Sequence, residues 1–326
     1  SREGKLPAAG AVAGSPARET AGSAAGEAAG RGRVPSIAVL PFKDMSPQQD
    51  QEYFCDGISE EIINTLSHNS SFKVIARTSA FAFKNKETDM REIGRKLNVE
   101  TLLEGSIRKS DNRLRIMAQL VRVDDGTHIW SERYDRELKD IFEIQDEISH
   151  AILQNLQLTM LGSQVKPVSR RHTENIEAYN LYLKGTHFWQ MLTPEGYRRA
   201  SEYFKEALKR DPGFAIVYAG LAAIDFVSTT YGSVPPDKAF PRAIEYVNKA
   251  LEIDDNLAEA YSVLGNINTF YHWDRAEAER NFKHAISINP NSPLNHIYYS
   301  FLLTCSGRSE EAISEARIAR ELDPLS

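Results

Sequence analysis

Hydrophobic residues recur at two spacings along this chain, and the spacing changes near its middle. Ile37–Phe42 and Phe72–Ala76 are apolar runs of strand length, and apolar residues alternate with polar ones across Leu114–Leu120. Further on, apolar residues recur every three or four positions, which is typical of amphipathic helices. The pattern predicts an α/β domain over residues 35–165, followed by an all-α domain over residues 174–326.

The first domain is predicted to have the element order β-α-β-α-β-β-β-α. Its first helix is expected over residues 57–69, with Asp56 as a capping residue and Glu60 and Glu61 at the positive end of the helix dipole. Thr88 or Asp89 is expected to cap the second helix. We interpret the three carboxylates as helix capping rather than as a catalytic cluster.

Six short blocks of the first domain occur in one order that resembles a known family. They are Ser36–Phe42, Glu52–Ile58, Ala76–Ser79, Leu103–Ser106, Trp130–Arg136 and Ile141–Ile148. Together they resemble the TolB amino-terminal-like domain of large bacterial signalling proteins. The resemblance implies that the domain follows a class III adenylate cyclase, a winged-helix DNA-binding domain or a protein kinase, often with a membrane span between them. It implies no catalytic residue.

The second half contains an internal repeat. Four related segments end helices at intervals of 43, 35 and 34 residues: Ala207–Pro212, Ala250–Asp255, Ala285–Pro290 and Ala319–Pro324. A period of about 34 residues is that of the tetratricopeptide repeat, a helix pair that stacks into a solenoid. The segment from 174 to 326 therefore resembles a solenoid of four such repeats. With no polar capping helix after the fourth repeat, we expect the chain to be truncated at this end.

The resemblance to tetratricopeptide repeats implies a groove lined by the first helix of each pair. The candidate partner-binding residues at groove positions are Tyr182, Trp189, Phe226, Asn266, Phe270 and Phe301. No Lys or Arg occupies these positions, so a clamp for acidic peptide tails is not expected. We expect the groove to take an apolar or aromatic segment of a protein or peptide partner. The alternative is that these rings pack as core between neighbouring helices.

A second candidate surface is the connection over residues 78–86. Phe81 and Phe83 are followed there by Lys84 and Lys86, a combination that suggests a loop facing a partner or ligand. A structural role for the two rings is the alternative.

The composition of the first 33 residues differs from that of the rest of the chain. Within residues 1–33, 22 are Ala, Gly, Ser or Pro, so residues 1–34 are predicted to be a disordered linker. A linker at a chain end leads us to expect that an upstream part is missing. Cys55 and Cys305 lie in different predicted domains, and we expect both to be free thiols.

Charge and motifs narrow the function classes. The net charge of −6 opposes nucleic-acid binding by this region. Phosphate-loop, zinc-helix and nucleophile-elbow motifs are absent from the sequence, so no cofactor, metal or catalytic residue is assigned. We interpret the chain as a non-catalytic sensory and interaction module. The alternative is the regulatory half of a cyclase, a kinase or a winged-helix regulator whose output domain lies upstream.

The cellular location of this region is inferred only from the resemblance to the TolB-like family. A membrane contact is expected only through the missing upstream segment, which would place this region at the periplasmic face of the inner membrane. A cytoplasmic protein is the alternative.

Overall fold

The computed structural model describes residues 34–160, 172–230 and 234–326. Apart from Val34, the predicted linker over residues 1–34 lies outside the described residues. So do residues 161–171 and 231–233. Residues 34–326 form a single unit.

A mixed sheet occupies the first half of this unit. Its strands are β1 (Ser36–Val39), β2 (Lys43–Asp44), β3 (Lys73–Val74), β4 (Thr101–Ser110), β5 (Arg113–Arg122) and β6 (His128–Glu137). The strand order is β3-β1-β4-β5-β6, and β2 pairs with β4 beyond the end of β1. Strand β1 is parallel to its neighbours β3 and β4, and β2 is parallel to β4, whereas β4, β5 and β6 form two successive antiparallel hairpins.

Alternate side chains of β1 enter two different hydrophobic layers, as the two-residue period of a strand requires. Ile37 and Val39 belong to the larger cluster, which also contains residues of helices α1 (Glu52–Ser67) and α4 (Ile141–Met160). Ala38 and Leu40 belong to a smaller cluster with helix α3 (Met90–Leu97). The sheet therefore has α1 and α4 on one face and α3 on the other.

The first helix differs from its prediction. Helix α1 begins at Glu52 rather than near residue 57, because Phe54 and Cys55 are also buried and extend its apolar face. Asp56 consequently lies inside the helix and is itself buried. The capping interpretation of the three carboxylates was wrong. Asp89 does cap α3, since its carboxylate accepts a hydrogen bond from the Arg91 backbone N–H at 2.8 Å.

Besides a 3₁₀ turn at Leu138–Asp140, the observed element order contains two elements that the predicted string lacks. One is the short strand β2, and the other is a short helix, α2 (Arg77–Phe81), inside the connection predicted as a loop. Both are too short to leave a periodic pattern in the sequence.

Four helix pairs form the second half within the described residues. They are α5 (Ile176–Trp189) with α6 (Pro194–Arg210), α7 (Ala215–Thr230) with α8 (Pro236–Ile253), α9 (Ala258–Ile267) with α10 (Arg275–Ile288), and α11 (Pro293–Cys305) with α12 (Ser309–Leu322). A π-helical segment, Asn268–His272, continues α9. Each pair matches one predicted repeat, so the described residues form a helical solenoid.

Small residues allow the paired helices to approach closely. A Cβ atom built on Gly265 of α9 would lie only 2.6 Å from a ring carbon of Phe282 in α10. Small residues on the second helix of each pair, Ala200, Ala243, Ala278 and Ala312, are likewise buried. These contacts fix the spacing of the helices within each pair.

One hydrophobic cluster runs through both halves. It joins Ile58 and Ile148 beneath the sheet to Tyr179 and Leu183 of α5 and continues into the second and third repeats. The division into domains at residues 35–165 and 174–326 stays a prediction, because the two halves share this core.

Candidate interaction surface

Helix α1 lies directly against the first helix of the solenoid. Gly57 makes this possible, since a Cβ atom there would lie 2.6 Å from Cδ2 of Leu183 in α5. Next to this contact, the Tyr182 hydroxyl donates a hydrogen bond to Oε1 of Glu61 at 3.2 Å. The Gln190 amide donates to Oε1 of Glu60 at 3.1 Å. The face that α5 was predicted to offer to a partner is therefore covered by α1.

A second contact joins the sheet to the turn between the third and fourth repeats. The buried Asn291 side chain donates to the backbone carbonyls of Ser67 at 3.1 Å and Asn69 at 3.0 Å. Its Oδ1 atom accepts a hydrogen bond from the Val74 N–H at 3.1 Å. Because Val74 lies on edge strand β3, Asn291 satisfies a backbone donor that the sheet leaves unpaired.

A third contact involves the last residues of the chain. The Ala76 N–H donates to the carbonyl of Leu322 at 2.8 Å. The Ser79 hydroxyl donates to Asp323 at 2.5 Å and accepts from the Leu325 N–H at 2.8 Å. The sheet domain thus touches the first repeat and the end of the fourth.

The carboxylates of α1 lie at this junction between the halves. Lys84 contacts Asp56 at 2.6 Å and Glu52 at 2.6 Å, and Arg77 contacts Glu60 at 3.0 Å. Cations on the connection after β3 therefore neutralise part of the α1 charge.

Glu61 has no such cation among its described contacts. Burial, with Glu60 and Glu259 adding repulsion, raises the pKa of Glu61 to about 8. Burial also raises the pKa of Glu60, although Arg77 opposes that shift. Adjacent carboxylates that resist ionisation indicate a structural junction that is sensitive to pH.

The last repeats leave an apolar stripe exposed. Leu294, Ile297 and Phe301 are spaced by three and four residues on α11, so they share one face of the helix. Their exposed fractions are 56, 46 and 46%. Phe270, 39% exposed, stacks on Phe301 with ring centroids 5.3 Å apart. We call these four residues the α11 stripe.

The α11 stripe continues inward through further aromatic contacts. Phe226 is buried, and its ring centroid lies 5.8 Å from that of Phe270 and 6.2 Å from that of Tyr298. Phe226 therefore supports the exposed pair from below rather than facing solvent.

The remaining candidate residues are less exposed. Tyr182 is buried under α1, and Trp189 is half-buried, with its ring 5.1 Å from that of Tyr197. Asn266 is buried and donates to the Ser262 carbonyl at 3.1 Å. Its Oδ1 atom has no hydrogen-bond partner among the described residues.

The two phenylalanines of the 78–86 connection are both at least half-buried. Phe83 is buried in the cluster around α3. Phe81 is half-buried, and the Arg77 guanidinium lies 4.1 Å from its ring centroid. A ligand-facing role for this connection stays a prediction.

The sequence did not point to Asn291 or Ser79 as contact residues. Asn291 lies in a turn whose repeat counterparts include Gly213 and Asn256. No local pattern distinguishes an asparagine that joins two halves of a protein from one that ends a turn.

The part of the chain that the structure describes contains neither a candidate metal centre nor a candidate membrane span. No group of three or more His, Cys, Asp or Glu side chains there is placed to hold a metal ion. None of the helices in the same part is both long and apolar enough to span a bilayer. Cys55 is a buried free thiol and Cys305 an exposed one, which confirms the prediction of free cysteines.

One family model matches this chain. The model describes the second domain of HilA/YgeH-like transcriptional regulators and matches residues 33–151. The matched region covers the sheet and most of α4.

Curated relatives bear two different names. The chain is 37% identical over 233 residues to putative adenylate cyclase 3 of Rhizobium meliloti strain 1021, covering 71% of this chain and 39% of the relative. It is 24% identical over 292 residues to transcriptional regulator HilA of Salmonella typhimurium strain LT2, covering 89% of this chain and 51% of the relative. The chain thus spans about half or less of the length of these relatives.

Two solved structures resemble parts of the chain more distantly. TolB from Acinetobacter baumannii is 17% identical, with a TM-score of 0.29, covering 39% of this chain and 29% of that one. A thermophilic TPR protein of Thermus thermophilus is 14% identical, with a TM-score of 0.39, covering 58% of this chain and 89% of that one. At these scores, the description of the fold rests on the strands and helix pairs of this chain itself.

Proposed function

We propose that this chain is a non-catalytic interaction module of a bacterial regulatory protein, and that the α11 stripe binds an apolar or aromatic segment of a protein partner. The observation that carries the proposal is the run of exposed Leu294, Ile297 and Phe301 on one helix face, extended by Phe270. Contiguous apolar side chains facing water mark interaction sites more often than isolated ones do.

The covered face of α5 supports the same choice of site. In the first repeat, α1 occupies the position where a partner was expected, and its contacts with Tyr182 and Leu183 are largely buried. Among the described residues of the first helices, the α11 stripe is the part of the surface with several large apolar side chains more than a third exposed. Aromatic anchors of this kind account for much of the binding energy at interfaces.

A double variant tests this binding site. Phe270→Ala with Phe301→Ala removes both stacked rings, and Ile313→Ala removes an equally exposed apolar side chain from α12 as a matched control. Partners that co-purify with the chain in its native host are quantified for each variant. We expect about a tenfold or greater loss for the double variant and none for the control. Equal recovery with all three proteins would refute the proposal.

We propose further that any catalytic or DNA-binding output resides in parts of the protein other than this chain. The names of the relatives, an adenylate cyclase and a transcriptional regulator, differ in their outputs, whereas this chain aligns with both. We infer that the relatives share a regulatory region that corresponds to this chain and differ in the region that produces the output. A cyclase, a kinase and a winged-helix regulator are the alternatives for the whole protein.

The purified chain provides the test. We expect it to convert no ATP to cyclic AMP, to transfer no phosphate and to bind no DNA at physiological salt. Turnover of ATP that survives repeated purification would show that the chain is itself an enzyme.

Two locations are proposed alternatives. The TolB-like resemblance favours the periplasmic face of the inner membrane, and a transcriptional role as named for HilA favours the cytoplasm. Alkaline phosphatase and a fluorescent protein are fused after Ser326 of the chain in its native genomic context. Active phosphatase with a dark fluorescent fusion supports the periplasm, and the opposite result supports the cytoplasm.

A further inference from the structure

Strand β6 is an edge of the sheet. It is ten residues long, contains no proline, and among the described residues pairs only with β5. The opposite edge, β3, is covered by Asn291 and Leu322. An edge strand of this length offers a row of unpaired backbone groups to another strand.

The register shows which backbone groups face outward. The Leu138 N–H donates to the Asn112 carbonyl at 2.9 Å, and residues 113 to 120 of β5 continue the same register with β6. Residues of an antiparallel strand alternate between facing the partner strand and facing away from it. The outward N–H and C=O groups therefore belong to Ser131, Arg133, Asp135 and Glu137.

Side-chain exposure agrees with an accessible edge. Ser131, Glu132, Arg133, Arg136 and Glu137 are all exposed. Tyr134 points into the core under α4, and Asp135 contacts Arg115 of β5 at 2.6 Å.

We propose that β6 pairs antiparallel with β6 of a second copy of this chain, around a two-fold axis that passes beside Tyr134. The backbone groups that face away from β5 belong to every second residue of β6, and they must pair with the same set of groups in the other copy. The two-fold axis of a symmetric pairing must therefore pass beside a residue, not between two neighbouring residues. Centring it on Glu132, Arg133 or Asp135 sets a charged side chain opposite its own copy. Like charges directly opposite each other destabilise a sheet.

Centring on Tyr134 matches the charges instead. Arg133 then faces Asp135 of the other copy, and Glu132 faces Arg136 of the other copy, each contact occurring twice by symmetry. The outward groups of Ser131 and Glu137 pair in the same register. Two β6 strands that run in opposite directions thus place opposite charges next to each other.

This charge order is the reason for choosing a second copy as the occupant. Arg133 already contacts Asp135 of its own strand at 3.1 Å, but an apolar strand from another protein would bring no opposite charge to Glu132 or Arg136, which disfavours it. A two-fold axis perpendicular to the sheet also keeps α1 and α4 of both copies on the same side. The pairing therefore continues the sheet and its helical layer across the interface.

A charge exchange tests the register. Sedimentation of the full chain over a range of concentrations is expected to show a monomer–dimer equilibrium. Arg136→Glu sets a glutamate opposite Glu132 of the other copy, twice by symmetry, and should weaken the dimer by about tenfold or more. Glu132→Arg combined with Arg136→Glu restores opposite charges and should restore the dimer. Lys86→Glu, a charge change on an exposed loop residue, is the control.

Cross-linking tests the same geometry independently of affinity. In a Cys305→Ser background, Glu132→Cys and Arg136→Cys together place cysteines directly opposite each other in the proposed dimer. Glu132→Cys alone places the two thiols four residues apart along the strands, about 13 Å, which is too far for a disulfide. Mild oxidation should give a covalent dimer with the double variant only.

Three results would overturn the proposal. They are a wild-type chain that stays monomeric at all concentrations, a charge exchange that fails to restore a dimer weakened by Arg136→Glu, and equal cross-linking of the single and double cysteine variants. Circular dichroism of each variant shows that the fold is retained.

Discussion

The hydroxyl of Tyr182 lies 3.2 Å from Oε1 of Glu61, and this hydrogen bond joins the first repeat of the solenoid to helix α1 of the sheet domain. The acceptor is a half-buried carboxyl group beside the carboxyl group of Glu60. The two halves of the molecule therefore meet at a titratable contact.

Acidification should stabilise the chain through Glu61. Its pKa rises from an ordinary value of 4.5 to about 8 in the folded protein. Below pH 4.5 the group is protonated in both states and has no effect. Between pH 4.5 and 8 the unfolded chain ionises first, so stability falls as the pH rises. Since Glu61 is partly exposed, we expect a loss of about 1–2 kcal/mol, measured by urea unfolding at pH 5 and pH 8.

Glu61→Gln isolates this contribution. The variant keeps the size of the side chain and cannot ionise, so the difference between its unfolding free energies at the two pH values should shrink by the same amount. Glu143→Gln changes an exposed carboxylate of α4 and should leave the pH dependence unaltered. An unchanged slope in Glu61→Gln would assign the pH effect to other groups.

Gly57 should resist substitution because of Leu183. In Gly57→Ala the new methyl group would overlap Cδ2 of a fully packed leucine, at a cost of about 1–3 kcal/mol that exceeds the gain in helix propensity of about 1 kcal/mol. Leu183→Ala alone should cost about 2–5 kcal/mol. Because the leucine deletion creates space for the methyl group, the double variant should lose less than the sum of the two. Strict additivity would show that α1 and α5 are not in contact.

Local patterns in the sequence predicted the elements better than their assembly. The repeats are visible in the sequence because related segments, such as those that begin at Ala250 and Ala285, return at intervals of 34 to 43 residues, and each return marks a helix pair. The start of α1 was wrong because Asp56 has the side chain of a capping residue but pairs with Lys84, which is 28 positions away. Such a contact leaves no periodic signal in the sequence.

Part of the candidate surface could be predicted because it follows a local period in the sequence. The residues of α11 follow a helical period that the repeat alignment places on one face, so Phe301 was identified without a structure. The burial of the α5 face could not be predicted, because α1, which covers it, lies far away in the sequence. Whether an apolar residue is core or surface depends on such long-range packing.

Asn291 should be important to the junction despite lying in a turn. Its amide serves three backbone groups, the carbonyls of Ser67 and Asn69 and the N–H of Val74. Asn291→Ala leaves these groups unpaired in a buried place and should cost about 1–3 kcal/mol. Hydrogen exchange should speed up at the Val74 amide, whereas Asn112→Ala, in an exposed turn, should have no effect there. Unaltered exchange at Val74 would mean that the edge of β3 is protected by other groups.

The two halves should unfold together. The largest hydrophobic cluster joins Ile58 and Ile148 beneath the sheet to Tyr179 and Leu183 of the first repeat, so neither half can open without exposing the apolar surface of the other. Calorimetry of the chain should show one transition whose calorimetric and van't Hoff enthalpies agree. A protease site inserted between residues 160 and 172 provides the matched test, since the cut pieces should still elute together and melt once. Two separate transitions, or pieces that part on cleavage at neutral pH, would show that the sheet and the solenoid are independent domains.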